Sequence, residues 1–216
     1  KQAKIKNSLE RYLGPKMVTH LIDNKINLDQ EGEERLVSIL FSDIRGFTPL
    51  SERLKPKQVI EILTIYFSRM TQIIFKYDGF IDKFIGDAIF CIFGIPLFQG
   101  NHAELAVKAA VEMQKELIKM NEEIFGPMDI ELKVGIGINT GNVVYGNIAS
   151  MDRPEVTILG DSVNTSERLC SLAKGGQILI SEESTKYLKE TYPMEKLGLL
   201  RLKGKEEKVM VHSIAL

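Results

Sequence analysis

A near-continuous apolar run occupies residues 36–41 (LVSILF) and gives the chain its clearest pattern. A run of this kind is typical of a strand that is buried on both faces of a sheet. The run stops at Ser42 and Asp43, and beyond Gly46 the apolar residues follow helical spacing. The pattern therefore predicts a buried strand that ends in a carboxylate, directly before the start of a helix.

Helical spacing, apolar runs and alternation divide the following residues into further elements. Helices are predicted over residues 55–78, 102–125, 161–173 and 182–187, a hairpin over 80–93, and strands over 156–159, 177–180, 197–202 and 209–215. Alternation over residues 130–138 predicts another strand, and Thr140-Gly141-Asn142 predicts a turn that leads into its partner at 143–148.

The order of these elements predicts an α+β fold. A strand, a helix and a hairpin in succession form the front of a ferredoxin-like βαββαβ core. With the later strands added, we expect a mainly antiparallel sheet covered by helices, with extra C-terminal strands.

Residues 1–30, which Gly14-Pro15 divides into two helical pieces, are expected to be a lead-in or linker, and residues 31–216 are expected to be the main domain.

Composition narrows the class of protein without indicating a function. The 216 residues are 44% hydrophobic and 26% charged, which suits one soluble globular domain. Lys and Arg number 28 against 29 Asp and Glu, so the chain lacks a strongly basic character and no nucleic-acid partner is expected. Cys91 and Cys170 match no metal-binding spacing and are expected to be buried free thiols.

Two carboxylates lie at the ends of strands that are neighbours in the predicted sheet. Asp43 ends the first strand and Asp87 lies at the tip of the hairpin, which neighbours that strand in a ferredoxin-like sheet. Paired carboxylates can hold divalent cations for phosphoryl or nucleotidyl transfer. The alternatives are that Asp43 only caps the following helix and that Asp87 only supplies turn chemistry.

Three segments, FSDIRGFT (41–48), DKFIGDAIF (82–90) and TILGDSVNTSERL (157–169), closely resemble the signature segments of the class III nucleotidyl cyclases. These are the adenylyl and guanylyl cyclase catalytic domains. The resemblance extends over residues 35–216 and includes the order of the elements. Three segments in the right order form a specific signal, whereas each one alone would be weak.

The resemblance implies that Asp43 and Asp87, with the carbonyl of Ile44, bind two Mg²⁺ (or Mn²⁺) ions in each active site. It also implies a binding site for the triphosphate of the substrate. The residues expected there are the backbone amides of Gly46, Phe47 and Thr48, and Lys203, for which Lys205 is the alternative.

Lys83 and Thr157 match the two positions that select the base in this family. An ammonium can donate to N1 of adenine, whereas N1 of guanine carries a hydrogen and needs an acceptor, so Lys83 favours ATP. Thr157 resembles a bacterial adenylyl cyclase subgroup, and it discriminates less sharply than the Asp found in many adenylyl cyclases. A guanylate cyclase therefore stays open as the alternative, as does residual activity with GTP.

Asn164 and Arg168, four residues apart on one predicted helix face, match the asparagine that orients the ribose and the arginine that stabilises the transition state. The resemblance implies that the base-selecting and transition-state residues of one chain meet the metal carboxylates of another. Because this chain has both sets, we expect a homodimer with two shared active sites that acts as an adenylate cyclase. The alternatives from other classes are a non-catalytic nucleotide-sensing or dimerisation module and a palm-type polymerase, in which the third segment has no place.

The chain begins with Lys1 rather than Met. We therefore expect it to be a piece of a longer protein that includes an upstream sensor or membrane region. The catalytic domain is expected to be cytoplasmic, with a membrane tether through that region as one possibility. No residue in the chain identifies the sensor.

Overall fold

The computed structural model describes residues 6, 10, 14–23, 32–147, 156–202 and 208–216. The helices are α1 (Pro15–Ile22), α2 (Phe47–Arg53), α3 (Pro56–Lys76), α4 (His102–Met120), α5 (Asp161–Leu172) and α6 (Glu182–Thr185). The strands are β1 (Glu33–Ile44), β2 (Phe80–Ile85), β3 (Ala88–Phe93), β4 (Val134–Asn147), β5 (Val156–Leu159), β6 (Ile178–Ser181), β7 (Met194–Arg201) and β8 (Lys208–Ile214). A π-helical turn (Asn121–Phe125) and a 3-10 turn (Gly126–Met128) follow α4.

The described strands form one sheet in the order β2-β3-β1-β4-β6-β8-β7, and β5 pairs with the end of β4. Every pair is antiparallel except β4 with β6. Strand β1 lies between β3 and β4, which is the strand arrangement of a ferredoxin-like core. The predicted α+β class, with a mainly antiparallel sheet and extra C-terminal strands, is thereby confirmed.

Helices cover both faces of the sheet. On one face, Tyr66 of α3 and Ala110 of α4 pack with Leu40 of β1 in the largest apolar cluster. On the other face, Cys170 of α5 packs with Ile39 of β1. Neighbouring residues of β1 thus enter two different cores, which explains why residues 36–41 are apolar in nearly every position.

Strand β4 continues through Thr140-Gly141-Asn142, so the turn predicted there, and with it the hairpin between residues 130–138 and 143–148, is wrong. The cause is β1, which pairs with β4 along its whole length, from Ile44 opposite Val134 to Glu33 opposite Tyr145. Gly141 serves another purpose, because a Cβ at this position would overlap the Ser162 hydroxyl at the start of α5.

The lead-in predicted for residues 1–30 lies largely outside the described residues. Helix α1 belongs to its second half, and Val18 on that helix is buried. Both cysteines are free and buried, as predicted. Among the described residues, no helix combines the length and the apolar character needed to cross a membrane.

Candidate active site

Asp43 and Asp87 lie next to each other at one end of the sheet. Asp43 is the next-to-last residue of β1 and pairs with Gly135 of β4. Asp87 follows Gly86 in the turn between β2 and β3, and β3 pairs directly with β1. The φ of Gly86 is 62°, a left-handed conformation that the tight turn needs and that glycine adopts without strain.

The two carboxylates open into a cavity of about 230 Å³. The end of β1, the start of α2 and the turn between β2 and β3 form its walls. The lining residues are Asp43, Ile44, Arg45, Gly46, Phe47, Thr48, Pro49 and Asp87. The structure thus brings together the three residues expected to bind metal and three of the four expected to bind phosphate.

The electrostatics of the carboxylate pair suit a cation. Burial, and after it the negative charge of Asp43 nearby, raise the pKa of Asp87 to about 6. Backbone hydrogen bonds to Asp87, including one from Ile44, act in the opposite direction and are not sufficient to cancel the rise. Two like charges held this close are stabilised when a cation binds between them.

The oxygen donors at the cavity fit a hard divalent cation. Asp43 and Asp87 offer carboxylate oxygens, and Ile44, whose main-chain carbonyl is a further oxygen donor, lines the same cavity. Within the described residues, no group of three or more His, Cys, Asp or Glu side chains is arranged so that it could hold a metal ion. This donor set fits Mg²⁺ or Mn²⁺ bound by two carboxylates together with water and phosphate oxygens, rather than by an all-protein cage.

Helix α2 begins at the cavity without a side-chain cap. Its N-cap is Gly46, with a left-handed φ of 68°, and no side chain accepts a hydrogen bond from its first turn. The alternative interpretation of Asp43 as a helix cap is therefore wrong. Helix geometry leaves the first-turn amides of Phe47 and Thr48 without acceptors inside the helix, so they can serve an anion in the cavity.

Lys83 and Thr157 lie outside this cavity. Lys83 is on the edge strand β2, just after a bulge, and its Nζ lies 3.3 Å from the Oδ2 of Asp82, whose side chain is only 1% exposed. Thr157 is on β5 and pairs with Gly146 of β4. The buried Asp82 carboxylate helps to orient the partly exposed ammonium of Lys83.

Asn164 and Arg168 lie on successive turns of α5, also outside the cavity. Asn164 is exposed and Arg168 is half-buried. The opposite face of the helix is fixed to the sheet, because the Ser166 hydroxyl lies 2.9 Å from the carbonyl oxygen of Ile39 on β1. In the part of the chain that the structure describes, neither the Asn164 side chain nor the Arg168 side chain has a hydrogen-bond or ion-pair partner.

Lys203, the fourth residue expected to bind phosphate, and its alternative Lys205 lie outside the described residues. Their predicted role stays a prediction. The strands on either side, β7 and β8, pair with each other from Arg201 opposite Lys208 onward.

Arg45 lines the cavity, although no pattern in the sequence assigns it a role. Its Nη2 lies 3.2 Å from the Oδ2 of Asp43 and donates a hydrogen bond of 2.9 Å to the carbonyl oxygen of Cys170 on α5. The separation of 125 residues between Arg45 and Cys170 explains why no local pattern could reveal the contact. Proximity to Asp43 in the sequence was the one available signal.

The chain matches the family described as "Adenylate and Guanylate cyclase catalytic domain" over residues 30–215. It is 33% identical, over 99% of its length, to an adenylate cyclase of Anabaena cylindrica. The chain spans 44% of that relative, which is therefore a much longer protein.

Solved structures of both kinds of cyclase resemble this fold. The adenylyl cyclase CyaB from P. aeruginosa superposes with a TM-score of 0.82 and 34% identity, over 87% of this chain and 97% of the other. The guanylyl cyclase Cya2 superposes with a TM-score of 0.80 and 38% identity, over 86% of this chain and 94% of the other. Because both kinds match equally well, the choice of purine depends on the residues that contact the base.

Proposed function

The chain belongs to the family of adenylate and guanylate cyclase catalytic domains, and from this we propose that it converts ATP into 3′,5′-cyclic AMP and pyrophosphate. The observation that carries the proposal is the pair of carboxylates, Asp43 and Asp87, in one cavity with the start of α2. This arrangement offers adjacent places for divalent cations and for a triphosphate. It accounts for one half of an active site.

Asp43, Asp87 and the carbonyl of Ile44 are the groups that would hold two Mg²⁺ or Mn²⁺ ions. Bound there, the ions would lower the pKa of the ribose 3′-hydroxyl and offset the charge of the phosphates. The first-turn amides after Gly46 bind the terminal phosphates, because they point toward the cavity end of the helix and lack internal acceptors. Lys203 adds a positive charge to the same group of phosphates.

Lys83 gives the site its preference for adenine. Its ammonium donates a hydrogen bond to N1 of adenine, and Thr157 can accept one from the exocyclic amine. Guanine presents a donor at N1, which would face the ammonium without a partner. A site built around a required hydrogen bond rejects an analogue that cannot make it far more strongly than an apolar pocket does.

Asn164 and Arg168 act on the sugar and on the reacting phosphate. The amide of Asn164 fixes the ribose so that its 3′-oxygen lies in line with the α-phosphorus. The 3′-hydroxyl releases its proton to solvent as its oxygen bonds to the α-phosphorus. The bond between the α-phosphorus and the oxygen bridging to the β-phosphorus breaks, and pyrophosphate leaves with that oxygen. The guanidinium of Arg168 donates to the equatorial oxygens, which carry more charge in the transition state than in the substrate.

Two copies of the chain are proposed to share each active site. Lys83, Thr157, Asn164 and Arg168 do not line the carboxylate cavity, so a second chain would supply them. Exposed apolar side chains lie near these residues, which supports the proposal that a second chain covers this surface. They are Phe84 and Ile85 on β2, and Val144 and Leu159, which pair across β4 and β5.

The proposal is tested by incubating the chain with ATP or GTP and either Mn²⁺ or Mg²⁺, with chromatographic identification of the products. We expect cyclic AMP and pyrophosphate, and a kcat/KM for ATP at least about tenfold above that for GTP. Replacing Asp43 by Asn should lower kcat at least about a hundredfold. The Arg69→Ala variant, which loses only a surface ion pair with Glu116, serves as the control.

Cyclic GMP as the main product would establish the guanylate cyclase alternative. Nucleotide binding without either cyclic product, in protein shown to be dimeric, would establish the non-catalytic module. Both results would contradict the proposed reaction.

A further inference from the structure

Arg45 connects two elements that the proposed reaction uses in different active sites. Its Nη2 lies 3.2 Å from the Oδ2 of Asp43, at the end of β1. The same nitrogen donates a hydrogen bond of 2.9 Å to the carbonyl oxygen of Cys170, in the last turn of α5. One side chain therefore contacts both a metal carboxylate and the helix that carries Asn164 and Arg168.

The guanidinium has little freedom to move away from these two contacts. Its side chain is 26% exposed, and the backbone N–H of Arg45 donates a 2.6 Å hydrogen bond to the carbonyl of Lys133. Gly135, opposite Asp43 on β4, makes room for it, because a Cβ there would lie 2.8 Å from the Nε and 2.9 Å from the Nη2 of Arg45. The Nε is buried and has no partner among the described residues, so the Nη2 makes the polar contacts of the side chain that the structure shows.

Both contacts are of a kind that fixes geometry. Cys170 lies in the last turn of α5, where carbonyl groups lack the N–H donors that the helix interior supplies and where a positive charge stabilises the helix dipole. The Arg45 guanidinium adds a donor to the Cys170 carbonyl, which also accepts a 3.1 Å hydrogen bond from the N–H of Ala173. The ion pair joins Nη2 to the Oδ2 of Asp43, a residue that also lines the cavity, and so constrains one of its carboxylate oxygens. Arginine suits this task because its planar group presents several donors in fixed directions.

We propose that Arg45 is a positioning residue for two active sites at once: it orients Asp43 in one site and holds α5 for the other. The proposal rests on the shared sites of the proposed function, in which Asp43 and the α5 residues of one chain serve different sites. Arg45 then supports the chemistry of both sites without contacting substrate at the α5 side.

Defined heterodimers separate the two roles. One chain carries Asp43→Ala and the other Arg168→Ala, with different affinity tags, so that each purified heterodimer has one intact site. In the Arg168→Ala chain, Arg45 can influence that site only through Asp43. In the Asp43→Ala chain, it can influence the site only through α5. Arg45→Ala is then introduced into one chain or the other.

We expect each placement to lower the kcat of the single intact site about tenfold or more, because misplacing a reacting group by about 1 Å costs roughly a hundredfold. An effect of only one placement, or of neither, would overturn the double role. The parent heterodimer, with Arg45 in both chains, is measured first. If it is inactive, the shared site itself is contradicted, which distinguishes that failure from a failure of the role of Arg45.

Binding of Mn²⁺ to the Arg45→Ala homodimer, measured by calorimetry without nucleotide, separates positioning from damage to the fold. Because the substitution removes a positive charge beside Asp43, Mn²⁺ should bind at least as tightly as in the wild type while kcat falls. Loss of Mn²⁺ binding together with activity would overturn the positioning role.

Two further variants test whether the loss of activity comes from misfolding. Arg45→Lys keeps the charge but not the planar group, and we expect it to keep the wild-type melting temperature and to recover only part of the rate. Full recovery of the rate by lysine would show that charge alone suffices, against the proposal. Arg69→Ala, with its ion pair to Glu116 at 3.8 Å, controls for the loss of an arginine elsewhere.

Discussion

Asp43 depends on residues from distant parts of the chain. Asp87 brings a second negative charge, Arg45 brings a positive one, and Gly135 leaves room for the arginine. A carboxylate in such surroundings differs from the simple helix cap that the same residue could have been. At the residue scale, the function therefore depends on neighbours that only the fold supplies.

The base preference can be tested at Lys83. Replacing Lys83 by Glu places an acceptor where adenine N1 needs a donor, so the ratio of kcat/KM for ATP to that for GTP should fall at least about a hundredfold. Lys196→Glu is the matched control, because Lys196 is exposed on β7, the strand at the opposite edge of the sheet. An unchanged ratio in the Lys83→Glu variant would contradict the assigned role.

His102 predicts a pH dependence of stability. Burial lowers the pKa of His102, whose Nδ1 hydrogen-bonds the hydroxyl of Ser38 at 2.9 Å. The unfolded chain thus binds the proton more readily than the folded chain, so this residue destabilises the fold as pH falls from about 6.5 through the lowered pKa. The free energy of unfolding, measured by urea titration at several pH values, should fall more steeply below pH 6.5 in the wild type than in His102→Asn. Parallel curves for the two proteins would contradict this assignment.

Helix α5 carries Asn164 and Arg168, and glycine in β4 lets this helix approach the sheet. A Cβ at Gly137 would overlap the backbone nitrogen of Cys170 and crowd the carbonyl of Ser166. The close approach places Ser166 and Cys170 against the sheet and turns Asn164 outward. The position of the helix face that carries Asn164 and Arg168 is thus set by close packing of the α5 backbone against the sheet.

Replacing Gly137 by Ala should push α5 away from the sheet. We expect the protein to lose about 1–3 kcal/mol of stability from overpacking and to lose activity in proportion to the displacement of Asn164 and Arg168. Thermal unfolding and kcat would be measured beside Gly100→Ala, since a Cβ at Gly100 meets no atom within 4 Å. Equal behaviour of the two variants would show that the packing of α5 does not depend on Gly137.

Local patterns predicted most elements because periodicity and turn residues act within a few positions. They failed at Gly141, where the glycine accommodates α5 rather than a turn, and long-range pairing with β1 keeps the strand straight. They also gave no role to Arg45, since its partner Cys170 is remote in sequence. The sequence could place Asp43 near Asp87 because strand order follows from the ferredoxin-like topology.

The whole molecule carries the two groups of residues that the proposed reaction needs, and they do not meet within one chain. The carboxylate cavity lies at the end of β1, while Lys83 and Thr157 lie on β2 and β5 beside exposed apolar side chains. A surface of this kind is costly in water and is stabilised when a second copy covers it. Activity should therefore depend on protein concentration.

A substitution at Leu159 tests whether this apolar surface forms the dimer interface. Replacing Leu159 by Asp should raise the protein concentration needed for half-maximal specific activity about tenfold or more, because a charge would be buried in the dimer. Leu199→Asp is the matched control, since Leu159 is 55% exposed on β5 and Leu199 is 57% exposed on β7. Sedimentation velocity would show whether the dimer weakens in the first variant alone. Equal weakening in both variants would contradict the placement of the dimer surface.

Mixing inactive chains tests the shared active site most directly. An Asp43→Ala chain and an Arg168→Ala chain would each be assayed alone and then after equilibration in equal amounts. Each alone should be nearly inactive, and the mixture should recover about a quarter of wild-type cyclic AMP formation, since half the dimers are mixed and each has one intact site of two. A mixture that contains heterodimers but is no more active than its components would contradict the account.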